Sequence, residues 1–300
     1  TILTSHYYPG YMMMRYAQSF LGDLSKDSSY LDDVIAGRPV APRRLEMHVT
    51  NATCNYRCEM CLWHVDNQAY YKENQQLLPV EDWNKILDQA SEGGTGVAIF
   101  SGGGEPLLRS DAGEVIEHAN EKGFHTMIYT NGSHLGRLPE NGKLYQSILD
   151  SNWLRVSLHS TNEDSYAELV NVPREKEHLS RVIRGIRRLI EDRNRLGKEL
   201  KVGIGFVVQH RNYDQVLEIA KLAKSLDVDM LNIREDCIDI TQNLSLEEKK
   251  VLYNQLRTLR TRIDSGEFAD MKINFADTMI APMNKWTKSP RIERPSECKV

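Results

Sequence analysis

The chain predicts an α/β fold of parallel strands joined by helical crossovers, and three features of its sequence carry that prediction. Short runs rich in β-branched and aromatic residues recur six times. Longer segments with apolar residues three and four apart separate them. The segments of unusual composition fall just after strands rather than before them. Strands are expected at RLEMHVT (44–50), TGVAIFS (95–101), FHTMIYT (124–130), WLRVSLH (153–159), KVGIGFVV (201–208) and DMLNIRE (229–235). The segment 80–92 puts Val80, Trp83, Ile86, Leu87 and Ala90 on one helical stripe, with Pro79 as its start signal. Residues 178–193 do the same with Leu179, Val182, Ile183, Ile186, Leu189 and Ile190. Further helices are expected over 111–122, 140–151, 213–226 and 245–264.

Strand–helix repetition of this kind means right-handed crossovers between parallel strands. An open doubly wound sheet and a full or partial barrel both satisfy it, and in either the loops after the strands carry the chemistry. The cysteine-rich CNYRCEMC (54–61) follows the first strand, SGGGEP (101–106) the second and TNGS (130–133) the third. SLHS (157–160) closes the fourth strand and RED (234–236) the sixth. These five segments are expected on one face.

Composition narrows the class. The chain has 300 residues, 40% apolar and 27% charged, with a formal net charge of −4. That balance argues against a nucleic-acid or membrane surface as the main partner. No apolar run approaches the ~18 residues of a membrane span. The first residues, TILTSHYYPGYMMMRYAQ, lack the pattern of a secretory signal, and without an initiator Met the chain is expected to be processed or trimmed. Five cysteines, three of them clustered, fit a reducing cytoplasm and a metal better than a disulfide framework.

Cys54, Cys58 and Cys61 are spaced C-x3-C-x2-C, a gathering of thiolates that suits a soft metal centre. Structural zinc takes four ligands and would need His64 as the fourth. Buried free thiols are a second reading, set against a polar loop containing Asn55, Arg57 and Glu59. An iron–sulfur cluster is the third, and with three cysteines one iron keeps an open position.

A C-x3-C-x2-C loop after the first strand with GGE after the second resembles the radical S-adenosylmethionine (radical SAM) enzymes, over roughly residues 44 to 235. The resemblance implies a partial (β/α)6 TIM-type barrel with N-terminal (1–43) and C-terminal (236–300) extensions. It implies that Cys54, Cys58 and Cys61 hold a [4Fe–4S] cluster whose fourth iron is chelated by the amino and carboxylate groups of SAM. Gly103, Gly104 and Glu105 match the motif that holds the methionyl amino group. Ser157 and Arg174 resemble the pair that contacts the SAM carboxylate in relatives with a SPASM-type extension, and Asn131 is a candidate for the same site. KVGIGFVV resembles the strand that lends backbone groups to adenine, which implicates Val207. Met60 stands where relatives often carry an aromatic residue near adenine; a thioether also contacts aromatic rings favourably, and Trp63 follows closely. In SPASM or twitch-like relatives a cysteine placed like Cys298 opens the segment binding a second iron–sulfur cluster. Residues 236–300 are therefore a candidate start of a truncated auxiliary-cluster region. Cys237 reads as a buried thiol.

The activity implied is reductive cleavage of SAM to a 5′-deoxyadenosyl radical that removes hydrogen from substrate, with electrons from a reductant such as flavodoxin or ferredoxin. SGGGEPLL looks like enzymes tailoring small polar metabolites such as sugars, aminoglycosides and nucleosides. Trp63, His64, Arg234, Glu235 and Asp239 are pocket candidates, with Glu235, Arg234 and His64 the candidate catalytic groups. His159 reads as a structural histidine ahead of a proton shuttle. A peptide-modifying enzyme of the same chemistry is the first alternative, and a non-catalytic iron–sulfur or zinc protein the second.

Overall fold

The computed structural model describes residues 28–51, 53–61, 77–174, 177–235 and 244–275. Seven parallel strands form one sheet: β1 Arg44–Met47, β2 Val97–Phe100, β3 His125–Thr130, β4 Trp153–Ser157, β5 Lys201–Val208, β6 Met230–Glu235 and β7 Lys272–Asn274. Their order runs from β1 to β7 without reversal. A doubly wound sheet would reverse at a switch point, so the winding is that of a TIM-type barrel, with β1 and β7 as edges among the described residues. Helix α1 Ser28–Ile35 precedes β1, and between the strands lie α2 Val80–Glu92, α3 Ala112–Glu121, α4 Lys143–Leu149, α5 Glu163–Leu169, α6 His178–Arg195, α7 Val216–Ser225 and α8 Leu246–Asp264.

Local chemistry accounts for the element ends. Ser245 and Glu248 form a reciprocal capping box at the start of α8, satisfying two amides the helix itself leaves unpaired. Asn162 caps α5 by accepting from the amides of Asp164 and Ser165. The first expected strand stops at Met47, three residues early, because Asn51 takes a left-handed turn (φ 45°) into the cysteine loop. Three elements were not expected: α1, eight residues long, α5, seven residues long, and β7, three residues pairing with β6. No described helix is long and apolar enough to cross a membrane. Trp63, His64, Cys237, Asp239 and Cys298 lie outside the described residues.

Strand parity sets the inside of the barrel. On β4, Leu154 and Val156 are fully buried, and Val156 stands next to Val182 of α6, so even-numbered residues face the helices. Trp153, Arg155 and Ser157 face the lumen, and on β5 opposite them lie Lys201, Gly203 and Gly205. A Cβ on Gly203 would run into Trp153, and one on Gly205 would press on Arg155. These glycines therefore make room for large lumen side chains. The apolar core lies in the other layer, between strands and helices, where Phe100, Tyr145, Tyr166 and Phe206 are fully buried.

Candidate active site

The loop after β1 carries Cys54, Cys58 and Cys61, and it is held by its neighbours rather than by regular structure. Amides of Arg57 and Glu59 donate to the carbonyls of Val170 and Leu169 (2.9 and 3.1 Å), which α5 leaves unpaired at its C-terminus. Tyr56 is the anchor, buried with its ring edge-on to Tyr166 and His178 at 6.2 and 6.0 Å. Outside, Arg211 joins Glu59 to Glu168, and Glu168 also pairs with Arg174. At the loop's base the buried Arg109 donates to the carbonyls of Val49 (3.0 Å) and Leu78 (2.8 Å) and pairs with Asp111.

The sulfur of Cys54 receives the Tyr56 amide at 3.4 Å and the Asn131 side-chain amide at 3.8 Å. Cys58 is packed against the core, and burial, then its two neighbouring thiols, push its ionisation well above the ordinary thiol range. Such a thiol ionises when a metal supplies positive charge. Among the described residues no three His, Cys, Asp or Glu side chains are gathered closely enough to hold a single ion. The fit to a cluster rests instead on donor chemistry, three soft ligands in one loop with amide donors turned on a sulfur.

The loop after β2 lies directly on the cysteine loop. The Glu105 amide donates to the Thr53 carbonyl at 2.8 Å. Gly104 adopts φ +124°, and a Cβ there would come within 3.0 Å of the Thr53 backbone and the Thr50 hydroxyl. Glu105 is 2% exposed. Its Oε1 accepts from Thr130 Oγ1 (2.6 Å) and the Leu107 amide (3.0 Å), and its Oε2 from the Asn131 amide (2.6 Å). Burial pushes this carboxyl up against the pull of those donors. An ammonium group is the partner that would hold it ionised.

Asn131 joins the three loops. Besides the Glu105 and Cys54 contacts, its side chain donates to Asn55 Oδ1 (3.0 Å) and accepts from the Ser133 amide (2.9 Å). The other candidates are scattered around this centre. Met60 is buried between Cys58 and Cys61. Ser157 is half-buried on the lumen face opposite Gly205. Arg174 is exposed, its guanidinium on Glu168 at the outer side of the cysteine loop. The Val207 amide is committed to His159 Nδ1 (3.1 Å), and its carbonyl accepts from Asn212 (2.8 Å). Arg234 is exposed at the end of β6, paired in register with Val207; Glu235 ends that strand.

Sequence reading missed Arg109, Arg211 and the polar lumen of Glu46, Tyr129 and Arg155. Glu46, hydrogen-bonded to His48 and Ser101, is held below the usual carboxylate range. The Arg155 guanidinium stacks on Tyr129 with 3.7 Å to the ring centroid. Polar residues at every second position of WLRVSLH were the available signal for this lumen.

His159 is buried, and burial together with Arg234 and Arg155 pulls its pKa down to about 3. Its folded value lies below the unfolded ~6.5. The stability it confers is therefore complete above pH 6.5 and is lost as pH falls from there towards 3. Between pH 7.5 and 5 the loss is expected to reach about 2 kcal/mol. Denaturation midpoints of the wild type should fall over that interval more steeply than those of His159→Asn, and parallel slopes would refute the assignment.

A barrel whose strand ends present three thiols and a glycine-borne buried carboxylate offers soft ligands for a metal centre beside an acceptor for an ammonium group. The Radical SAM superfamily matches residues 49–223, more than half of the chain. The chain belongs to that superfamily, whose members are enzymes that use a [4Fe–4S] cluster and S-adenosylmethionine. It is 28% identical over 187 residues to the S-adenosylmethionine-dependent nucleotide dehydratase of Selenomonas ruminantium, covering 62% of each chain. It is 28% identical over 200 residues to the probable GTP 3′,8-cyclase of Saccharolobus solfataricus, covering 66% of this chain and 58% of that one. The chain thus spans about three-fifths of the curated relatives it matches. Among solved structures, Streptococcus suis SuiB bound to S-adenosylmethionine superposes with a TM-score of 0.58 at 18% identity, over 91% of this chain and 57% of that one. SuiB bound to precursor peptide SuiA gives 0.60 at 18% identity, over 97% and 59%. Likeness of that order carries the fold.

Proposed function

We propose that the enzyme removes a hydrogen atom from a small polar metabolite of nucleoside or nucleotide type, held in the barrel lumen beneath the cofactor loops. The observation that carries this reading is the lumen itself, where Glu46, Tyr129, Arg155, Ser157, His159 and Asn232 lie on the inward faces of β1, β3, β4 and β6 or directly beyond β4. Such a wall suits hydrogen bonding to hydroxyls and base edges. Both curated relatives are named for nucleotide substrates, which supports the same class.

When bound, the cluster and SAM supply one-electron reductive cleavage of the sulfonium and a hydrogen-abstracting radical. Cys54, Cys58 and Cys61 would hold the cluster. Glu105 would accept from the cofactor's ammonium, with its orientation set by Thr130, Leu107 and Asn131. Asn131 couples that carboxylate to the cysteine loop, so the two halves of the cofactor site share one rigid reference. Buried Met60 and Val207 exclude water near it.

The test is anaerobic reconstitution with iron and sulfide, then SAM, dithionite and nucleosides or nucleotides deuterated in the ribose. Methionine and deuterium-labelled 5′-deoxyadenosine are the expected products. Iron-loaded protein that forms no 5′-deoxyadenosine would overturn the activity. Label transfer from a peptide and none from any nucleotide would overturn the substrate class.

A further inference from the structure

The lumen is electrically lopsided. Carboxylates sit on the side of β1 and the β2 loop, as Glu46 and Glu105, with Arg44 two residues before Glu46 at the N-terminal end of β1. The lumen-facing positions of β4 to β7 hold no carboxylate: Trp153, Arg155 and Ser157, then Lys201 (paired with Asp229 at the N-terminal end of β5), Gly203, Gly205 and Val207, then Met230, Asn232 and Arg234, then Lys272 and Asn274. A cationic cofactor group belongs on the first side, and the second is built for the opposite charge.

Three details sharpen this. Arg234 stands at the C-terminal end of β6, exposed, with no carboxylate partner among the described residues. Two strands away, across Val207 of β5, His159 Nδ1 accepts the Val207 amide, so its single proton sits on Nε2 and that nitrogen is a neutral donor. Asn212, fully buried, donates to the carbonyls of His159 and Val207 and locks both in place. Arg155 sits deeper on β4, stacked on Tyr129, and contributes charge from below.

We infer that the substrate carries an anionic oxygen group, phosphate or carboxylate, which docks on Arg234 and His159 at the β4–β6 rim. This rests on the reading of the lumen as the substrate site. An Arg fork and a neutral imidazole donor flanking Val207 from β6 and β4 match the oxygens of such a group. The group's placement on the basic side leaves the rest of the substrate pointing across the lumen towards the cofactor loops. In a nucleotide this group is the phosphate chain; in a sugar acid or amino acid it is the carboxylate.

The experiment is calorimetric titration of cluster-reconstituted, SAM-loaded full chain with inorganic pyrophosphate and, separately, malonate. Pyrophosphate is expected to bind at one site per chain, about tenfold or more weakly in Arg234→Gln, and at intermediate strength in Arg234→Lys, which restores charge without the fork. Malonate binding with the same Arg234 dependence, and no pyrophosphate binding, would support the site and assign the carboxylate source. SAM affinity and iron content are measured on the same samples. The inference falls if neither anion binds the wild type, or if Arg234→Gln leaves anion binding unchanged. It also falls if SAM affinity drops in parallel, because Arg234 would then belong to the cofactor. Failure of SAM cleavage in the wild type is a separate result that counts against the enzymatic reading, whereas cleavage without anion binding sinks the docking site alone.

Discussion

Cys58→Ala is expected to abolish 5′-deoxyadenosine formation, with iron per chain falling from about four towards none. Of the three cysteines, Cys58 is the one packed against the core, and its thiol is the one that burial and two like neighbours oppose most in ionising. A cluster would supply the charge that reverses this, so ligand and metal stabilise one another. Removing one small sulfur from a half-buried position costs about 1 kcal/mol in packing. The loop's other anchors, Tyr56 and the amides of Arg57 and Glu59, stay in place. The variant should therefore remain folded by circular dichroism while losing cluster absorbance. Retained SAM cleavage in Cys58→Ala would remove the cysteine loop from the mechanism.

Gly104→Ala should give the largest stability loss of any single methyl addition near the site. Its φ of +124° already disfavours a side chain, at about 1–3 kcal/mol. The added carbon would also meet the Thr53 backbone and the Thr50 hydroxyl inside 3.0 Å, and backbone cannot rotate away. The loops must then separate, breaking the hydrogen bond from the Glu105 amide to Thr53 and shifting the carboxylate that Thr130 and Asn131 hold. Gly94→Ala is the control, since φ is +88° there but the space is open. Urea denaturation should show Gly104→Ala less stable than Gly94→Ala by about 2 kcal/mol or more. SAM affinity should fall at least about tenfold in Gly104→Ala alone. Equal losses in the two variants would mean that contact between the loops contributes nothing.

The helix α2 was expected at its observed limits, and α6 and α8 within two residues, because long stripes of apolar residues announce themselves. The helices α1 and α5 and strand β7 were not legible, being too short for a period to repeat convincingly. The conflict between a doubly wound sheet and a barrel was settled by strand order, which follows from how crossovers pack and not from any one segment. Arg174 shows the limit for single residues. Its guanidinium meets Glu168, whose second oxygen holds Arg211, itself bound to Glu59. Nothing along 168–211 in sequence foretells that chain.

The sequence by itself determined the candidate ligands: three thiols in eight residues and a glycine-borne carboxylate are local facts, legible because spacing within one loop limits where donor atoms can go. Tertiary structure alone decided their surroundings. Asn131 reaches Cys54 across 77 positions and Asn55 across 76. His159 is held neutral first by burial and then by arginines on two strands, with its Nδ1 taken by an amide 48 positions on. The lumen's charge asymmetry exists only because the register of β4, β5 and β6 turns their odd- and even-numbered residues to one common side. Side-chain chemistry is written residue by residue, but protonation, field and shared orientation depend on which strands the barrel sets side by side.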